Sequence, residues 1–166
     1  MKRILFLLFL FGTGTVLNAQ MKDSTCAVIV RLYDALDSKD KNERAKLREG
    51  SGEIKSTSPV KVTVYKSNFI IPGFINPEIQ EGISGKTYTT YREFATYDEA
   101  VKEWNAMNKK FHDNFIGGWT FTEYNVPAEL HKNAKLVRDG SMSAPVVRYR
   151  LERAGAAFRL VMEFSY

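Results

Sequence analysis

Two histidines, a single cysteine and one glycine-lysine-threonine run are the residues of this chain whose types could do chemistry. A zinc-protease helix needs two histidines one turn apart with a glutamate between them, and His112 is followed instead by Asp113, Asn114, Phe115 and Ile116. His112 can therefore act only with a carboxylate brought from elsewhere, as an acid/base pair across a pocket. The competing reading is structural, because a histidine at a helix end sits well beside the negative pole of the backbone dipole. His131 falls in the stretch from Pro127 to Lys132 and reads as surface. Cys26 becomes a nucleophile only if His112 lies beside it to favour the thiolate; on an apolar helix face it is otherwise a small core residue. Gly82-Ile83-Ser84-Gly85-Lys86-Thr87 invites comparison with a phosphate-cradling loop, but the first glycine of that spacing is replaced by Gln80 and a strand pattern follows rather than a helix. It reads as a turn. With no serine in a glycine elbow, no paired carboxylates and no metal-ligand spacing, neither a cofactor nor a metal is expected.

The stronger functional hint is apolar. Phe69-Ile70-Ile71-Pro72-Gly73-Phe74-Ile75-Asn76-Pro77 is rich in large apolar side chains yet broken by two prolines and a glycine, which a central strand could not accept. Such a loop is either packed inward or kept for a partner, and Phe69, Ile71, Phe74 and Ile75 are its candidate contacts. Tyr33, Trp104 and Trp119 read as core residues first and pocket lining second. Arg148, Arg150 and Arg159, with Arg153 near a turn, form a basic stripe that is either paired across strands with Glu163 and Glu152 or open to an anionic partner.

These side chains need elements to hold them. Thr96 and Glu99 have the spacing of a capping box, so a helix begins there. Tyr97, Val101, Trp104, Asn108, Phe111 and Phe115 then gather on one stripe until Gly117-Gly118 ends it. Asp23 or Ser24 caps an earlier helix carrying Cys26, Ile29, Val30, Tyr33 and Leu36. Between Ser38 and Ser58 charged residues dominate, with a short solvated helix over Lys41 to Arg48 and a stop at Gly50-Ser51-Gly52. Strands are expected from Pro59 over Val60, Val62 and Val64, over Thr87 to Ala95, over Trp119 to Asn125 before Pro127, and over Ala134 to Arg138. The last segment is a hairpin turning at Gly155-Ala156 with type II′ geometry. That register sets Arg148 opposite Glu163, Glu152 opposite Arg159, Leu151 opposite Leu160 and Tyr149 opposite Met162. The sequence contains no internal repeat. Together the elements predict an α+β domain over residues 21–166, a curved and mostly antiparallel sheet of five or six strands with the long helix and the N-terminal helix on one face.

Lys2-Arg3, the apolar run from Ile4 to Phe11 and the small-residue zone Leu17-Asn18-Ala19-Gln20 have the form of a secretory signal peptide over residues 1–20. It predicts a protein sent to the periplasm or outside the cell. No later stretch is long and apolar enough for a membrane span. The whole chain carries 24 Lys+Arg against 19 Asp+Glu, an excess of five that the loss of Lys2 and Arg3 reduces, so nucleic acid is disfavoured as a partner. One cysteine permits no intrachain disulfide.

The run Val30-Arg31-Leu32-Tyr33-Asp34-Ala35-Leu36-Asp37-Ser38-Lys39-Asp40 resembles the first helix of nuclear transport factor 2-like (cystatin-like) proteins, and the element order with its closing hairpin is similar to that group. The resemblance implies a sheet wrapped on helices around a conical pocket, on a fold that serves enzymes, carriers and noncatalytic partners alike. The expected function is a small noncatalytic binding module taking a small apolar ligand or an envelope protein through the Phe69 to Ile75 loop. The alternatives are a hydrolase or isomerase using His112 as acid/base, and a structural homodimer formed through the open face of the sheet.

Overall fold

The computed structural model describes residues 23–57, 60–83, 85–126, 131–140 and 145–166. The expected signal peptide, Pro59 and Pro127 lie outside them.

Both long helices start on a side chain that replaces missing backbone hydrogen bonds. The Asp23 carboxylate accepts from the N–H groups of Thr25 and Cys26 at 2.9 and 3.2 Å and opens α1 (Ser24–Asp37). Thr96 and Glu99 form the reciprocal capping box and open α3 (Tyr97–Asn114). Between them in the chain, Asp40 caps the short exposed α2 (Lys41–Ala45). The predicted α3 stripe is the buried one: Trp104, Asn108, Phe111 and Phe115 are buried, joined by Ala100 and Met107, with Tyr97 and Val101 packed at its margin.

The strands are β1 (Arg48–Thr57), β2 (Val60–Ser67), β3 (Ile75–Gly82), β4 (Gly85–Phe94), β5 (Trp119–Val126), β6 (His131–Arg138), β7 (Val146–Ala154) and β8 (Ala157–Ser165). They form one antiparallel sheet in the order β1-β2-β3-β4-β8-β7-β6-β5. Two four-strand meanders thus meet at a single seam between β4 and β8. Among the described residues the sheet has eight strands, not five or six, because β1 and β3 lack the usual signal. β1 is an edge strand rich in charge and glycine, with a register break between Glu49 and Glu53 where Gly50 takes φ 69°. β3 carries Pro77 in a bulge, between the pairs Ile75↔Tyr91 and Glu78↔Thr89, where Asn76 takes φ 48°. A bulge is where a strand tolerates proline.

The closing hairpin has the expected register throughout, with Gly155 at φ 65° in its turn. Tyr149, Leu151, Leu160, Met162 and Phe164 face the helices. α3 lies over β4, β7 and β8, and α1 packs beside α3 with Tyr33 edge-on to Trp119 at the start of β5. Among the described residues no helix packs on β2 and β3 to a comparable extent. No helix among the described residues is long and apolar enough to cross a membrane.

Candidate functional site

The apolar loop between β2 and β3 is a strap with two sides. Its buried side is core: Ile71 is 0% and Phe74 4% exposed, and Phe69 is half-buried. Ile71-Pro72-Gly73-Phe74 makes a turn closed by Phe74 N–H donating to Ile71 O at 3.0 Å, with Gly73 at φ 80°. Proline then glycine is the type II sequence, since only the second position needs positive φ. Tyr88 Oη donates to Phe69 O at 2.9 Å, and Asn68 N–H donates to Leu47 O at 3.1 Å. Arg92 fixes the tip. Its guanidinium lies over the Phe74 ring at 5.8 Å, pairs with Glu103 on α3, and passes so close to Gly73 that a Cβ there would sit 2.9 Å from Nη2.

The other side of the strap faces solvent. Ile70 is 63% and Ile75 49% exposed; Ile75 shares a cross-strand row with Tyr91, and Ile70 lies beside Lys66 and Glu78. Beside them lies a cleft of about 310 Å³ lined by Glu49, Lys66, Ser67, Ile70, Asn76, Pro77 and Glu78. Small-molecule and side-chain pockets start at about that size. Asn76 Nδ2 donates to Tyr91 Oη at 2.6 Å and Thr90 Oγ1 donates to Ile75 O at 2.8 Å, so the αL corner that shapes the cleft is held to β4.

The cleft opens onto the helix-free face of the sheet. Because side chains alternate, register assigns that face: Glu78, Thr89, Glu163, Arg148 and Lys135 follow one another across β3, β4, β8, β7 and β6. The next row contains Ile75, Tyr91, Val161 and Arg150. Arg159 stacks on Tyr91 at 4.2 Å. Val161, between its cross-strand neighbours Tyr91 and Arg150, is only 4% exposed although no helix among the described residues packs on this face. The basic stripe is therefore knitted into the sheet. Arg148 and Arg150 both reach Glu163 at 3.1 Å, as expected for Arg148, while Arg159 pairs with Glu93 of β4 at 2.8 Å rather than with its cross-strand neighbour Glu152.

The remaining candidate residues sit elsewhere. Trp104 and Tyr33 are buried and Trp119 is half-buried. Trp104 stacks on Tyr149 at 4.8 Å and 7°, and Tyr33 meets Trp119 at 4.9 Å, with Arg138 over both rings at 4.6 and 4.7 Å and tied to Asp34. These aromatic side chains fill the helix–sheet layer against one another and against their own arginine. His112 projects from the end of α3 with its side chain 61% exposed, 3.4 Å from Glu123 and edge-on to Phe121. The pair is open to water, which lowers its value as a poised acid and base. Cys26 is fully buried, and burial followed by the nearby Asp23 charge pushes its thiol up to about 12, so it is not a thiolate at neutral pH. Among the described residues no three His, Cys, Asp or Glu side chains converge as metal ligands.

Sequence reasoning reached the strap but not the cleft. Nothing in the sequence separates Ile70 from Ile71, and the walls Glu49, Lys66 and Glu78 come from β1, β2 and β3, of which β1 and β3 carry no strand signal. The one usable signal was Asn76-Pro77, a pair that marks a corner. No protein family, curated protein or solved structure matches the chain.

Proposed function

We propose that this chain is an exported, noncatalytic binding module, released by removal of residues 1–20, that engages an envelope protein through the cleft at Ile70 and Ile75 and the helix-free face around it. The observation that carries the reading is the division of the strap. Two isoleucines are held out to solvent by a turn whose other apolar residues are anchored in the core, beside a cleft edged by charge. Anchored apolar side chains in a polar setting are what a partner's contact needs, because the ordering cost is met before binding. A protein partner is favoured over a small apolar ligand because Tyr33, Trp104 and Trp119, the aromatics that would line an internal pocket, already pack on neighbours. The hydrolase or isomerase reading has less support, since its one acid/base candidate lies on an exposed helix end.

The test is site-directed photocrosslinking in the native host. A benzophenone side chain at position 70 or 75 should trap one envelope protein in a discrete adduct, and the same group at exposed Lys102 on α3 should not. No adduct at 70 or 75, or the same adducts from all three positions, would remove the cleft from the account.

A further inference from the structure

We infer that a second copy of this chain is itself a partner for the helix-free face, stacking on it about a two-fold axis that runs parallel to the strands along the β4–β8 seam. This rests on the reading above that the face is a contact surface. The strand order makes the operation specific: turning the sheet over about that seam lays β2 on the partner's β6, β3 on its β7 and β4 on its β8. An isologous contact of this kind needs a surface complementary to its own reversed copy.

The register supplies that complementarity. Glu78 and Arg148 lie in one cross-strand row on opposite sides of the seam, so each falls on the other's counterpart. Glu93 falls in the same way on Arg159, its cross-strand neighbour at the seam. Half-buried Val64 falls on half-buried Val137. One like-charge meeting results, Lys66 with Lys135, and Lys66 is flanked in its own row by Glu49 and Glu78. Eight strands of 8 to 10 residues spaced about 4.8 Å apart give a face on the order of 1,000 Å², about one partner's share of a standard interface. Tyrosine and arginine at the centre are the residue types that dominate such contacts. The strongly charged makeup predicts a salt-sensitive dimer rather than an obligate one.

Charge exchange tests it. Sedimentation velocity of the mature chain, from about 1 to 200 μM at low ionic strength, should show a monomer–dimer equilibrium that weakens at about 1 M salt. Glu78→Arg alone and Arg148→Glu alone each set like charges together twice per dimer and should raise Kd at least ~10-fold. An equimolar mixture of the two variants restores both contacts, as does the double variant, and each should return Kd to within ~3-fold of the parent. Thermal melts confirm that each variant folds. A parent that stays monomeric throughout, or a mixture no tighter than its components, overturns the inference. If the position-70 adduct to an envelope protein persists in that case, the partner reading stands while the second copy is lost; a dimer without any such adduct gives the reverse.

Discussion

Gly73→Ala tests the seating of the strap directly. Gly73 has φ 80°, where an alanine costs about 1–2 kcal/mol through its Cβ alone. The added carbon would also lie 2.9 Å from Arg92 Nη2 and 3.0 Å from Cζ, forcing the guanidinium away from Phe74 and Glu103. The cation–π contact and the half-exposed ion pair together are worth about 1 kcal/mol. The total is about 2–3 kcal/mol, or a Tm lowered by about 5–10 °C in a domain of this size. The assay is a double-mutant cycle by thermal and urea unfolding, with Arg92→Ala as the second change. In the Arg92→Ala background the Gly73→Ala cost should fall to the backbone part, leaving a coupling of about 1 kcal/mol. A Gly73→Ala protein as stable as the parent, or a coupling below about 0.3 kcal/mol, would refute the claim that Arg92 clamps the strap.

The two sides of the strap should respond oppositely to charge. Phe74→Asp should abolish the cooperative unfolding transition, since it buries a carboxylate in the core, whereas Ile70→Asp should leave Tm within about 2 °C and lose only the photocrosslinked partner. Cys26 should react with a thiol reagent at neutral pH only as fast as the protein opens, and at the free-thiol rate in denaturant; comparable rates in both states would contradict its burial. Burial also raises the folded pKa of Cys26 from 9.0 to about 12 and raises those of Tyr88 and Tyr149 above 10.0. Stability contributed by these groups is complete below pH 9 and lost as pH rises through the folded values, so urea midpoints should fall steadily from about pH 9 upward, and a flat profile to pH 12 would count against it. At the acid end, burial works against ionisation of Asp23 but Lys110 and the N–H groups of Cys26 and Thr25 outweigh it and hold its carboxyl low. Its contribution is present above pH 3.8 and lost as pH falls below that, and Asp23→Ala should cost about 1 kcal/mol at pH 7 but little at pH 2.

What the sequence made legible was local. Thr96 with Glu99, Asp23 ahead of Ser24, and the stripe through Trp104 and Phe111 are read within a few residues, and the helices follow them. The final hairpin was legible for the same reason: its register depends only on where Gly155 places the turn. β1 escaped because an edge strand needs no apolar alternation, and β3 because its proline sits where a bulge excuses it. The partner of Arg159 could not be read at all. It is Glu93, 66 residues away, and it becomes a neighbour only once β8 lies beside β4. The strap was legible as an apolar segment but its division was not, because the contacts that seat it, Arg92 over Phe74 and Tyr88 on Phe69 O, come from another strand.

The seam has a consequence for how the chain can acquire its structure. Of the eight strands β8 is the last to leave the ribosome, yet it occupies the middle of the sheet, joined on one side to β4 and on the other to β7. Hairpins in the first half can form early, but Tyr88, Thr90 and Arg92 meet Phe164, Met162 and Leu160 only when β8 arrives. A layout in which closure waits for the last strand folds slowly and keeps the nascent chain open. For a protein proposed to be threaded across a membrane before it folds, that delay keeps the chain in a state a translocation channel can accept.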